Sequence, residues 1–319
     1  MNKLCLLFLL LVLFYSQKSY ANENSCYLIN TLETDDCFIS FIECTDNKFV
    51  VKQIKNSSPD EQFLLVLDTL GCFIAESSDI PMNKVIIIPS NTPFHGKKTL
   101  EFPATLHSLA KGISTDKKCL YQDIDVHQRF RKKNSPMWHR WGPLATEKTG
   151  LTIEIIQNMV RHPDLPRIVA LDTFVGNADR SPPNLYYDEI IDRFCGIDMA
   201  ASFSSPLALA ACQCLEGLKN HLTSDELSAL IDYANTLELL IKIWPPEKQE
   251  RILLEYSEIA GFTNGSCLFN QDVFERIEFH KKSIQDNYQN CVKLLALINR
   301  QLKTFQTQNY CLPTPNRTP

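Results

Sequence analysis

Glycine is scarce in this chain, with ten in 319 residues and none before Gly71. The N-terminal region therefore has no glycine-built loop over which a phosphate could be cradled. Positive charge is not in excess either: Lys and Arg total 32 against 37 acids, a net charge of -5. That balance supplies no global field for nucleic acid or anionic lipid, so any anion site must be local. The cysteines include no C-x-x-C pair and have no neighbouring histidines, which excludes the common zinc frameworks. No apolar run reaches the roughly 20 residues that span a bilayer, and no internal repeat is present, so a membrane bundle and a solenoid are excluded. What is there is 44% hydrophobic and 22% charged, the composition of an ordinary globular chain with a real core rather than a disordered or collagenous one. The length suits two domains or one two-lobed domain.

The N-terminus reads as a leader. Lys3 precedes an apolar run over residues 4–14, and Ser19 and Ala21 place small residues three and one before a break. This is the pattern of a secretory signal peptide over residues 1–21, cleaved before Asn22, and it predicts a secreted or extracytoplasmic protein with no stable membrane insertion. Cys5 leaves with the leader, so eleven of the twelve cysteines remain, an odd number that leaves at least one unpaired. Export permits disulfides. A few at most are expected, with Cys72 and Cys195 serving as small buried hydrophobes.

Residues 38–44 and 49–55 are β-type runs joined by a turn with Asp46-Asn47 at its centre, which predicts an antiparallel hairpin. Ser58, Pro59 and Glu61 then supply an N-cap, a first-turn proline and a capping-box acid for a helix running to residue 76. Another short β run covers residues 84–89. Together these predict a small α+β unit over residues 22–92. Residues 93–149 are punctuated by proline and glycine without a sustained period and read as hinge and connecting loops. Arg129, Arg131, Lys132, Lys133, His139 and Arg140 alternate there with Phe130, Trp138 and Trp141; such runs are more often solvated surface than a nucleic-acid grip, and no nucleic-acid partner is expected. Residues 150–308 read as a mainly helical unit interrupted by a β pair over 185–188 and 193–198. Within it Thr223 and Glu226 form a capping box. Residues 309–319 form a proline-rich tail.

The chemistry concentrates in Gly176-Asn177-Ala178-Asp179-Arg180-Ser181-Pro182-Pro183-Asn184, followed by Gly196-Ile197-Asp198. The order is helix end, loop, strand, turn, strand, acid. Phosphoryl transfer needs a carboxylate to orient the attacking hydroxyl, an amide or carboxylate oxygen on a metal, and a second carboxylate between metal and phosphates. Asp179, Asn184 and Asp198 stand in that order. The spacing also occurs at Asp172 and Asn177, so one pair is expected to be accidental; prolines force a loop only between the later pair, and Asp172 is expected to cap or solvate its helix.

These segments resemble the catalytic and metal-binding segments of the HipA-like and phosphatidylinositol-kinase-like branch of the kinase-like fold. The resemblance spans about residues 38–203. It implies an α+β, two-lobed fold, with a small antiparallel-sheet N-lobe carrying one helix and a larger, mainly helical C-lobe, and with ATP and Mg2+ or Mn2+ bound between the lobes. It further implies that Asp179 is the catalytic acid/base residue and that Asn184 and Asp198 hold the metal, although Met199-Ala200 follow Asp198 where protein kinases carry D-F-G. Lys52, in Phe49-Val50-Val51-Lys52, takes the place of the phosphate-binding lysine, and Asp68 that of its acidic helix partner, where relatives carry glutamate. The G-x-G-x-x-G loop of protein kinases is absent, and its place near residues 30–36 is acidic. Three readings follow: an exported ATP-dependent kinase acting on a hydroxyl of a protein, lipid or small molecule; a catalytically weak or inactive pseudokinase acting as a secreted protein-binding module; or a non-kinase secreted helical protein in which Asp179 and Asn184 merely cap a turn.

Overall fold

Apolar side chains recur along residues 37–54 at the spacing that gives a strand one covered face. In the computed structural model, β1 (Tyr27–Glu33), β2 (Cys37–Cys44) and β3 (Asn47–Ile54) are consecutive antiparallel strands, with a bulge in β1 between Leu28 and Asn30. The structure describes residues 27–33, 37–44, 47–54, 59–90, 93–94, 98–99, 103–110, 112–114, 151–180, 184–188, 190–217, 222–262 and 271–310. The expected leader, the basic and aromatic stretch from Arg129 to Trp141, the Pro182-Pro183 pair and the tail lie outside these residues.

Helix α1 (Pro59–Ser77) follows, then β4 (Val85–Ile88), the short pair β5 (Pro93–Phe94) and β6 (Lys98–Thr99), β7 (Ala104–Ser108) and β8 (Ile113–Ser114). The main sheet runs β1-β2-β3-β7-β4. Strand β7 lies inside it, antiparallel to both β3 and β4, within the stretch that reads as connecting loops in the sequence. The reason is chemical: Ala104 and Leu106 pack with Ile42 and Val51 on one face, while the polar Thr105 and His107 are buried on the other, so a covered face carries no apolar signal in the sequence. The N-terminal part of the acidic segment expected over the phosphates is likewise strand, since residues 30–33 belong to β1.

The remainder is mostly helical: α2 (Ile153–Met159), α3 (Asp164–Val175), α4 (Leu207–Gly217), α5 (Ser224–Ile243), α6 (Pro246–Ile259) and α7 (Gln271–Tyr310). Strands β9 (Leu185–Asp188) and β10 (Arg193–Gly196) form a hairpin that β8 extends. Both halves of the Thr223 capping box are made, which explains why α5 starts where it does. The chain is therefore α+β, with a small antiparallel sheet and a larger, mainly helical part. No helix among the described residues is long and apolar enough to cross a membrane.

Helix α1 joins the two parts. Leu65 packs with Cys37 and Ile39 of β2, while Val66, Leu70 and Ile74 belong to the large core shared with the helices. Phe63 stacks on His280 of α7, and Phe73 meets Trp244 and Tyr256 edge-on. A helix apolar on so many sides is a buried helix. Gly71 allows its closest approach: a Cβ there would lie 2.8 Å from the Met199 Cβ and from the Ser202 Oγ.

Helix α3 ends at Gly176, whose backbone is left-handed at φ 65°. A Cβ at this position would come within 2.4 Å of the Ser205 carbonyl oxygen. Both backbone strain and overlap oppose any side chain, so Gly176→Ala is expected to cost about 2–4 kcal/mol. Thermal melting of the two proteins checks this, and an unchanged Tm would contradict it.

Candidate functional site

The site is built on the C-terminal end of α3. Asp172, one turn before that end, is wholly buried and so is Arg180 of the following loop. The Arg180 Nε donates to Asp172 Oδ2 at 3.0 Å and Nη2 to Oδ1 at 2.9 Å, a two-pronged ion pair. Burial works against the guanidinium's charge, but the Asp172 carboxylate more than offsets it and raises the Arg180 pKa above its ordinary value. Asn177 donates from Nδ2 to Asp172 Oδ1 at 3.0 Å and accepts the Asp179 N–H on Oδ1 at 3.3 Å. The expectation that Asp172 caps or solvates its helix is thus corrected. The earlier D-x-x-x-x-N pair has a structural task of its own, because Asp172 and Asn177 hold the loop that carries Asp179.

Asn184 stands at the start of the β9–β10 hairpin. Its Nδ2 donates to the Asp179 carbonyl at 2.9 Å and to Asp179 Oδ2 at 3.2 Å. Its carbonyl accepts the Ile197 N–H at 3.0 Å. Asp198 follows directly, in the left-handed region at φ 57°, a conformation that aspartate tolerates better than most residues. Asp179, Asn184 and Asp198 are thereby brought to one place.

Lys52 reaches the same place from β3. Its Nζ lies 3.3 Å from Asp198 Oδ1 and 3.4 Å from Oδ2. Burial opposes the ammonium, yet Asp198 first and then Asp68 hold its pKa above the ordinary lysine value. Burial likewise opposes the Asp198 carboxylate, but Lys52, the Ala200 N–H and His107 bring its pKa below the usual 3.8.

Asp68 does not form the expected ion pair with Lys52. It is fully buried, and its Oδ1 accepts the Met199 N–H at 2.8 Å. The aspartate is short and its Oδ1 is held by the backbone just after Asp198, and Lys52 bonds to Asp198 instead. The Asp68 Oδ2 lies 3.6 Å from His107 Nε2 and has no hydrogen-bond donor among the described residues. His107 completes a buried polar wall: Asn83 Nδ2 meets its Nδ1 at 3.2 Å, and Thr105 Oγ1 meets its Nε2 at 2.7 Å. An amide donor on Nδ1 assigns the proton to Nε2. The Cys72 thiol, kept protonated by burial, faces Asp68 and Asn83. Sequence reading missed Arg180, Asn83 and His107; the only signal was Arg180's place beside Asp179, since Asn83 and His107 stand in no motif.

Asn184 and Asp198 offer hard oxygen donors, and the Asn184 amide nitrogen is already occupied by Asp179, which leaves its oxygen for a ligand. Among the described residues no group of three or more His, Cys, Asp or Glu could hold a metal by itself. One amide oxygen and one carboxylate fit an ion that takes its other ligands from water and phosphate, as Mg2+ and Mn2+ do.

Burial lowers the His107 pKa below 6.5, partly countered by Asp68. The unfolded chain therefore takes up a proton first as pH falls, and stability declines from about pH 6.5 down to the folded pKa. The Asp198 contribution has the same sign but is present above 3.8 and is lost only as pH falls through its lowered folded value. Between pH 6.5 and 5 the Tm of the parent should fall more steeply than that of His107→Asn; equal slopes would remove His107 from this account.

The sequence matches no protein-family profile and no curated protein. Among solved structures, a Helicobacter pylori proinflammatory kinase, CtkA, is similar in shape over 88% of this chain and 96% of its own, at 11% identity and a TM-score of 0.47. At that distance no residue role is carried across, and the site rests on this chain's own contacts.

Proposed function

We propose that this protein is an ATP-dependent phosphotransferase that moves the terminal phosphate of ATP to a hydroxyl acceptor. The observation that carries the reading is the convergence of Lys52, Asp179, Asn184 and Asp198, from separate elements, into one half-buried cluster with Lys52 bonded to Asp198. Lys52 supplies a permanent cation for phosphate oxygens, and Asn184 and Asp198 hold Mg2+ or Mn2+. The bound metal supplies charge neutralisation for the phosphates. Asp179, held through its backbone by Asn177 and through its side chain by Asn184, orients the acceptor hydroxyl and takes its proton. Asp68 keeps the segment after Asp198 against α1. The motif spacing supports the HipA-like, phosphatidylinositol-kinase-like branch, and the leader over residues 1–21 supports export, with Asn22 as the mature N-terminus. N-terminal sequencing of the secreted protein tests that last point.

The pseudokinase reading is favoured by one observation, the commitment of Asp68 to the Met199 backbone instead of Lys52. Nucleotide binding separates the two. ATP at a hundred times its dissociation constant, with Mg2+ or Mn2+, should stabilise the protein by about 2.7 kcal/mol. Asp198→Ala should lose the metal-dependent part of that shift. Asp179→Asn should keep the shift while phosphoryl transfer falls by about 10²–10⁴-fold. No shift with either metal would leave the pseudokinase.

A further inference from the structure

The Arg180 guanidinium does more than neutralise Asp172. Its third nitrogen, Nη1, donates to two carbonyls at once, that of Asn184 at 2.7 Å and that of Ile197 at 2.6 Å. One is the backbone of a proposed metal ligand and the other the residue directly before the second ligand, Asp198. The Ile197 N–H, bonded to the Asn184 carbonyl, closes the same junction. Strand β10 leaves room for this arrangement because residue 196 has no side chain: a Cβ on Gly196 would lie 3.0 Å from Nη1 and 2.3 Å from the Met82 sulfur. A guanidinium presents its donors in a planar, fixed fork, so the carboxylate on one edge sets the direction of Nη1 toward the carbonyls.

We propose that Arg180 is a positioning residue for the metal, setting the separation of the Asn184 side-chain oxygen and the Asp198 carboxylate through their backbones. The proposal rests on the phosphotransferase reading. A small divalent ion such as Mg2+ demands near-ideal octahedral geometry, so a displaced ligand is felt directly as lost affinity. Lysine cannot substitute: its single ammonium keeps the charge opposite Asp172 but cannot also span both carbonyls. A purely structural role would lower the Tm and leave the metal's contribution to nucleotide binding untouched.

The test is the ratio of ATP dissociation constants in EDTA and in Mg2+, measured by calorimetry on the parent, on Arg180→Lys and on Leu253→Ala. Leu253 is a fully buried residue of α6 outside the site and serves as the control for lost stability. Arg180→Lys should reduce the ratio by at least about tenfold, as loss of an outer-shell partner does elsewhere, while the affinity in EDTA stays within about twofold. Leu253→Ala should lower the Tm and leave the ratio unchanged. If Arg180→Lys fails to fold, the double variant Asp172→Asn with Arg180→Met replaces the ion pair by neutral groups and should show the same reduced ratio. A parental ratio in Arg180→Lys, or in the double variant where that one is used, overturns the positioning role and leaves the phosphotransferase reading standing. An equal loss in Leu253→Ala also overturns it. A parent that binds ATP equally in EDTA and Mg2+ overturns the metal site itself, whereas a parent that binds no ATP overturns the phosphotransferase reading.

Discussion

The arrangement of the site depends on a buried ion pair. Asp172 and Arg180 are both removed from water, and such burial is costly unless every polar atom finds a partner. Here the pair is two-pronged, and the remaining capacity goes to Asn177 on the carboxylate side and to the carbonyls of Asn184 and Ile197 on the guanidinium side. A pair so fully satisfied has one arrangement, and that arrangement connects the end of α3, the loop carrying Asp179 and both ends of the β9–β10 hairpin. The same low-dielectric surroundings that make the pair expensive make it directional.

On the other side of the site the controlling element is α1. Gly71 lets it lie against Met199 and Ser202, and Asp68 takes the Met199 N–H, so the residue after Asp198 is held to the helix by one strong acceptor. This leaves Lys52 to face Asp198 directly. Cation and carboxylate hold each other charged against burial, and the neutral His107, Thr105 and Asn83 form the wall behind them.

Much of the architecture was legible in the sequence because it is local. The β2–β3 hairpin, α1 with its proline start, the capping box at Thr223 and the β9–β10 pair are announced by residues within a few positions of each other. Strand β7 was not legible, because it is five residues long and one of its two covered faces carries the polar Thr105 and His107. The candidate residues Lys52, Asp179, Asn184 and Asp198 were legible from type and order along the chain. The partner of Lys52 was not: Asp68 stands at the right place on α1, but its Oδ1 takes the Met199 N–H, a contact between residues far apart in sequence, and Lys52 bonds to Asp198.

The sequence by itself determined the element types, the absence of a glycine loop and the polar residues available for chemistry, since propensity, capping and composition act over short range. The prolines marked the later of two identical Asp-Asn spacings as a loop, but only the tertiary structure decided that the earlier pair lies buried beneath it. That choice turns on Arg180, whose side chain must reach back to α3 and forward to the hairpin at once. Nothing in the linear order distinguishes such a guanidinium from one in solvent; burial does, because a charge taken out of water must find every one of its partners in the folded chain.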